Sequence, residues 1–491
     1  MIERAPFAGR LVLPVAALEL LLQLGFANGY GYHRDELYFR TAARHPAFGY
    51  DDQPPLTPLL GRLSESLFGE SPRGLRVVSA LAVALLVVLV ALLARELGAR
   101  ATGQFMAAAC AAASGFVVVV GHLLSTTTFD LLVWVAIVLL VARILGGGDE
   151  RLWLAVGAIT GLGLQNKHLP LLLVLALVVG LALDRRLVSL LRSRWLWVGA
   201  AIALAIWLPN LLWQALHGWP QVELAGDIRE NEGGENRATL FPLQLVLVGP
   251  LLVPVWVAGL WALLRDEGLR PWRSLGLVYL VLLGLVLIVA GKPYYPAPLL
   301  VCLLAPGAIV VTRWLRSSGR RALLAGAIVL TAAFSILVGL PVIPVDRLDG
   351  TFVAEVNEDA IETVGWPELV AAVGRVHAEL PARERETAVV FAGNYGEAGA
   401  VDRYGPALGL PRAYSGHNAY ARFGMPEGSA GPVIVLGYED AAIDFVGCRP
   451  VATVDNGVGL ANEEQGGTIF VCRGPRGSWR AAWPSLSHLS A

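Results

Sequence analysis

The chain has 491 residues, 55% of them hydrophobic and 16% charged, with a mean hydropathy of +0.59 and a net charge of −1. A water-soluble globular chain carries about a quarter charged residues, so this one is composed for a less polar solvent. Its near-neutral charge gives no electrostatic basis for binding nucleic acid.

From the N-terminus, Met1–Arg10 and the apolar Leu11–Phe26 have the outline of a signal peptide. No A-x-A cleavage site follows and many apolar runs do, so the segment reads as an uncleaved first span. A bilayer crossing takes about 20 apolar residues. Runs near 11–30, 76–94, 104–121, 129–142, 152–165, 169–183, 195–213, 241–264, 274–290, 297–312 and 322–340 predict about eleven transmembrane helices. With the N-terminus in the cytoplasm, the inside segments hold 17 basic residues in 57 positions and the outside loops 9 in 89. That bias orients the chain by the positive-inside rule, and an odd number of spans places the C-terminus outside. A multi-pass protein with its N-terminus inside and its C-terminal domain outside, surrounded by lipid, is the expectation.

The first outside loop opens with His33-Arg34-Asp35-Glu36. Adjacent carboxylates at a membrane surface suit a general base and its support, or are solvated loop charges. Further on, Asp51-Asp52-Gln53-Pro54-Pro55 sets two acids before a rigid Pro-Pro step. They are an acidic turn, or they hold an acceptor, a sugar hydroxyl or a divalent cation. Asp130 opens a predicted span after a Thr run, where an ionisable group reads either as functional or as a helix cap. Of 38 basic residues only Lys167 and Lys292 are lysines, and both fall at outside junctions, against the charge bias. A departing phosphate needs such fixed positive charge; lysines that snorkel to the headgroups are the alternative. Tyr294 and Tyr295 are belt aromatics or ligands.

After Pro344 charge, Gly and Pro return. The β-branched runs Thr387–Phe391, Pro432–Leu436, Pro450–Val454 and Thr468–Val471, with an amphipathic helix over Trp366–Leu380, predict a small α/β domain. The division expected is a transmembrane domain over 1–344 and an extracytoplasmic α/β domain over 345–491. The tail carries no G-x-G-x-x-G, P-loop or metal-type Cys/His spacing. Cys110 and Cys302 lie in apolar runs and read as core residues. Cys448 and Cys472 flank predicted strands outside the cytoplasm and are expected to form a disulfide, with about 3 kcal/mol gained from closing the loop.

These segments together resemble the glycosyltransferases of the GT-C fold. The closer likeness is to bacterial members of the protein-mannosyltransferase-like family, glycosyltransferase family 39, related to the lipid A aminoarabinose transferases. The resemblance runs through Asp35-Glu36, Asp52-Gln53-Pro54-Pro55-Leu56, Asp130–Trp134, Asn166-Lys167-His168, Pro209–Trp213, Gly218-Trp219-Pro220 and Lys292-Pro293-Tyr294-Tyr295. In the tail it covers Gly393–Gly399 and Ser415-Gly416-His417-Asn418. It implies a polyprenyl-phosphate sugar donor and inversion at the anomeric carbon. Asp35 matches the expected base, with Glu36 beside it, and Asp52 matches an acid that helps place substrate or metal. Lys167 and Lys292 match positions near the lipid phosphate. Arg34, Asp130, His168, Tyr294 and Tyr295 complete the expected substrate contacts. The aminoarabinose transferases have a lysine where this chain has Gln53, so that role is not carried over.

The reading is an inverting glycosyltransferase, and the resemblance does not choose its acceptor among glycan, lipid and protein. A transporter or flippase of a lipid-linked sugar is the alternative, for which polar or broken helices near the bilayer midplane would be the sign, whereas the ionisable groups here cluster at the outer edge. A scaffold whose tail binds a partner is the third.

Overall fold

The computed structural model describes residues 4–427 and 431–490. The chain packs as two compact units. The helical unit comprises Met1–Ala27, Gln53–Thr57 and Arg76–Leu340, and the sheet-bearing unit Asn28–Asp52, Pro58–Leu75 and Pro341–Ala491. Most of the first loop therefore packs with the C-terminal sheet.

Among the described residues seven helices are long and apolar enough to cross a membrane: Gly9–Phe26, Pro72–Glu96, Thr126–Leu145, Arg194–Leu216, Glu267–Val289, Ala297–Trp314 and Ser318–Gly339. The pair Ala101–Ala113 and Gly115–His122, bent by 57°, passes the same test together and forms a broken span or a re-entrant loop. Leu152–Leu164, Pro170–Leu183 and Pro250–Arg265 are shorter apolar helices. The protein is thus a polytopic helical membrane protein. Helices lie over all eleven expected runs, but only seven are single spanning helices among the described residues, and two runs, 104–121 and 241–264, are broken. In the run 241–264 one helix ends at Gln244, Gly249 takes φ 105°, and a 3-10 turn over Pro250–Leu252 leads into the α-helix Val253–Arg265. Glycine reaches that dihedral without steric cost, and Pro250 has no N–H to continue a helix.

Two pairs of helices meet through glycine. A Cβ on Gly157 would collide with the Gly199 carbonyl, and one on Gly307 with the Val255 carbonyl. Such small residues let backbones touch where lipid supplies no hydrophobic drive between helices. The outer helices Gly9–Phe26 and Ser318–Gly339 bury only 22% of their apolar windows and present the rest outward, as lipid contact requires.

Two polar side chains from other helices meet carbonyls around the bend between Ala101–Ala113 and Gly115–His122. Ser335 Oγ donates to the Ala113 carbonyl at 2.8 Å, and Gln23 Nε2 donates to the Val118 carbonyl at 3.1 Å and to Glu19 at 2.8 Å. The buried Glu19–Gln23 pair of the first helix thus bonds to the helix Gly115–His122 beyond the break.

In the sheet-bearing unit Val389–Ala392 pairs in parallel with Ala413–Ser415 and Val433–Leu436. Thr468–Cys472 runs antiparallel to Val433–Leu436 and to Arg449–Thr453. The four expected strands are present within two residues, and the Ala413–Ser415 edge strand is additional. Phe391, Val433, Val435, Phe445 and Trp479 form the core on one face. Helix Trp366–Glu379 starts from Gly365 at φ 95° and buries Leu369, Val370, Val373 and Val376. Cys448 and Cys472 are joined by a disulfide. Reducing it should lower the stability of this unit by about 3 kcal/mol, the entropy of the opened loop. Denaturant titration of the native and the reduced, alkylated protein measures the difference, and coincident curves would refute it.

The first loop is not irregular. It holds helices Arg34–Ala42 and Leu56–Phe68. Arg40 ties its own helix to the next by pairing with Glu65 and, at 3.2 Å, with Glu70.

Candidate active site

The helix Arg34–Ala42, here the loop helix, places the acids of the first loop. His33 is its N-cap: the Asp35 N–H donates to His33 Nδ1 at 3.1 Å, and the His33 N–H donates to Glu36 Oε2 at 2.9 Å. This reciprocal pair is a capping box. It takes Glu36, expected as a catalytic partner, into the helix end as a fully buried structural acceptor. Asp35 stays partly exposed, with Tyr395 Oη donating to its Oδ1 at 2.9 Å. Arg34, expected near phosphate, is held instead by Glu362 at 3.1 Å and Glu463 at 2.9 Å.

Asp52 has an equivalent guard: Tyr38 Oη donates to its Oδ1 at 2.5 Å, and the rings of Tyr38 and Tyr395 lie 4.8 Å apart. Burial pushes the Asp52 carboxyl up to about 7, and the charges of Asp51 and Asp35 add to it against the Tyr38 hydrogen bond. Burial, then the neighbouring carboxylates, holds both phenols well above their usual range, so they remain donors. Asp51 is buried and bound by Arg422 Nε at 2.7 and 2.8 Å.

Tyr395 opens the helix Tyr395–Tyr404, here the tail helix. The motif Gly393-Asn394-Tyr395-Gly396-Glu397 builds its start. Asn394 Oδ1 accepts from the Glu397 N–H at 2.8 Å and Glu397 Oε2 from the Asn394 N–H at 3.2 Å, a second capping box. Burial pushes Glu397 up to about 8, aided by Glu464. Gly396 and Gly399 let the tail helix lie on the loop helix: a Cβ at these positions would stand 2.7 Å from Arg34 Cβ and 2.9 Å from the Leu37 backbone. Behind Tyr395, the His417 ring is 4.6 Å away and Ser490 Oγ is 2.8 Å from His417 Nε2. Burial, then His488, pulls His417 down to about 4, which keeps it neutral.

The raised carboxyls set a pH dependence. An acid whose folded pKa exceeds its unfolded value adds stability that is complete below the unfolded pKa and gone above the folded one. For Asp52 that loss runs from about pH 4 to about pH 7. The melting temperature of the sheet-bearing unit should therefore be higher at pH 5 than at pH 8, and Asp52→Asn should shrink the difference. Parallel melting curves for the two proteins at both pH values would contradict this.

One group among the described residues is close enough to hold a metal: His33, Asp359 and Glu362. They do not fit a resident ion. His33 Nδ1 accepts the Asp35 N–H, so the ring proton sits on Nε2, facing Glu362 at 2.8 Å. A metal on Nε2 would move that proton to Nδ1, against the capping N–H. The Arg34 guanidinium already supplies positive charge to Glu362.

The helical unit holds the remaining expected residues. Asn166 anchors their loop, accepting from Thr57 Oγ1 at 2.5 Å and donating to the Thr126 carbonyl at 2.7 Å, while the Leu56 N–H donates to the Gln165 carbonyl at 2.9 Å. Lys167 Nζ lies 3.3 Å from Thr127 Oγ1 and 3.5 Å from Tyr294 Oη, and 5.4 and 5.7 Å from the ring centres of Tyr294 and Tyr295. Those hydrogen-bond partners are neutral and the bonds long, so the ammonium keeps capacity for an anion. Asp130 is buried, accepts from Trp134 Nε1 at 3.0 Å and interacts electrostatically with Lys167. His168 Nε2 meets Asn210 Oδ1 at 3.0 Å. Lys292 is ion-paired with Glu232. Lys167, Asp130, Tyr294 and Tyr295 thus form one cluster. Sequence reasoning missed Tyr38, Tyr395, Thr127 and Glu232; the one readable signal was the N-x-x-E cap that places Tyr395.

Residues 52–213 match the family described as dolichyl-phosphate-mannose-protein mannosyltransferase. No curated protein matches by sequence. ArnT from Cupriavidus metallidurans bound to undecaprenyl phosphate superposes with a TM-score of 0.64 at 14% identity, covering 94% of this chain and 98% of that one. ArnT in the apo state gives 0.59, again at 14% identity, over 94% and 97%. The mycobacterial arabinofuranosyltransferase AftD gives 0.52 at 15% identity, over 96% of this chain but only 42% of its own. The chain therefore has the GT-C glycosyltransferase fold and carries the protein-mannosyltransferase family pattern over residues 52–213.

Proposed function

We propose that the chain is an inverting glycosyltransferase that moves a sugar from a polyprenyl-phosphate carrier to an acceptor hydroxyl at the outer face of a bacterial cytoplasmic membrane. The observation that carries this reading is the state of Asp35: a partly exposed carboxylate at a helix N-terminus, with one oxygen fixed by Tyr395 and the other available as a base. Asp35 takes the acceptor's proton as the hydroxyl attacks the anomeric carbon. The bond from that carbon to the phosphate oxygen breaks, and its electron pair leaves with the polyprenyl phosphate. Lys167 stabilises that departing charge, with Tyr294 and Tyr295 beside it. Lys292 contributes less, because Glu232 already neutralises it. Asp52 places substrate through its hydroxyl-guarded carboxyl, and Asp130 and His168, in the helical unit with Lys167, serve the donor. The fold's likeness to an ArnT bound to undecaprenyl phosphate supports the choice of carrier.

The purified protein, incubated with a radiolabelled polyprenyl-phosphate sugar and a cell-envelope acceptor extract, should release the sugar from its carrier. A flippase would move the lipid across vesicles with the bond intact, and that result would replace this reading.

A further inference from the structure

We propose that Tyr395 is a positioning residue for the base, delivered to it by the C-terminal sheet. The inference rests on the transferase reading above. The Tyr395 hydroxyl donates to Asp35 Oδ1 at 2.9 Å across 360 residues of sequence. A carboxylate on a partly exposed helix end can rotate; a phenol bound to one oxygen fixes the plane of the group and leaves Oδ2 as the proton acceptor. Burial and the adjacent carboxylates keep the phenol protonated, so it serves as a donor throughout the working range.

The surroundings of Tyr395 are built to hold it. The Asn394–Glu397 capping box starts its helix one residue earlier. Gly396 and Gly399 bring that helix against the loop helix at backbone distance, which a side chain at either position would prevent. The ring is packed between Tyr38 at 4.8 Å and His417 at 4.6 Å, and Tyr38 in turn binds Asp52. Two acids are thereby set by two neighbouring tyrosines, one from the loop helix and one from the tail helix. The sheet that carries the tail helix is then part of the catalytic apparatus rather than an appended module.

The test is a double-mutant cycle with Tyr395→Phe, which keeps the ring and removes only the hydroxyl. Tyr395→Phe should lower kcat about 10- to 100-fold, the value of one hydrogen bond to a charged group, with donor KM within about twofold of wild type. In an Asp35→Asn background the same change should cost almost nothing, since the carboxylate it serves is gone. Independent, multiplying losses, or a Tyr395→Phe enzyme with wild-type kcat, would overturn the inference while leaving the base intact. A wild-type protein that releases no sugar, or an Asp35→Asn protein with normal turnover, overturns instead the transferase reading beneath it.

Discussion

An Asp35→Asn protein is expected to insert and fold as the wild type does while transferring sugar about 10²- to 10⁴-fold more slowly, the usual scale of general-base catalysis. Asparagine has nearly the same shape, and its side-chain oxygen can still accept from Tyr395 Oη, so the contact seen at 2.9 Å survives. The capping box is untouched, because it uses the Asp35 backbone N–H and the side chains of His33 and Glu36. What disappears is the group that takes a proton. The comparison protein is Glu36→Gln: its amide oxygen can still accept the His33 N–H, so it should lose some stability and little turnover. Single-turnover assays on purified, monodisperse protein separate the two. Near-wild-type turnover in Asp35→Asn would remove Asp35 as the base; a larger loss in Glu36→Gln would transfer the role to its neighbour.

Glu36 also shows where sequence reasoning stops. The spans were legible because bilayer thickness imposes a length and a composition that leave few alternatives. The sheet strands were legible for a similar reason: β-branched runs between turn residues have few other uses. In the first loop, Asp35 and Glu36 were equivalent as adjacent acids. Their roles separate only once a helix starts at Arg34, and that start depends on a histidine cap, a residue outside the usual Ser, Thr, Asp and Asn set. The Asn394–Glu397 cap in the tail does follow the common pattern, so the tail helix was readable where the loop helix was not. Partners in space carry no pattern at all. Nothing along the chain joins Tyr395 to Asp35, or announces that Glu232 neutralises Lys292 while the bonded partners of Lys167 are neutral hydroxyls.

That contrast between the lysines yields the second large effect. Lys167→Ala should lower donor kcat/KM by about 10²- to 10³-fold, the cost of removing a fixed charge from a developing anion. Lys292→Ala should cost less than about 10-fold by the same physics, because Glu232 already cancels much of its charge. Lys167→Arg should keep part of the activity: the charge remains, but a planar guanidinium replaces a compact ammonium beside Thr127, Tyr294 and Tyr295. The alternative is that Lys167 serves only the lipid headgroups. The two accounts part at sub-saturating donor. A phosphate ligand loses activity there in proportion to its weakened hold on the leaving group, and added bulk anionic lipid does not restore it. A headgroup anchor shows wild-type turnover once the protein is correctly inserted. Equal donor kcat/KM for Lys167→Ala and wild type in the same vesicles would assign the lysine to the membrane surface and leave the leaving phosphate to other donors.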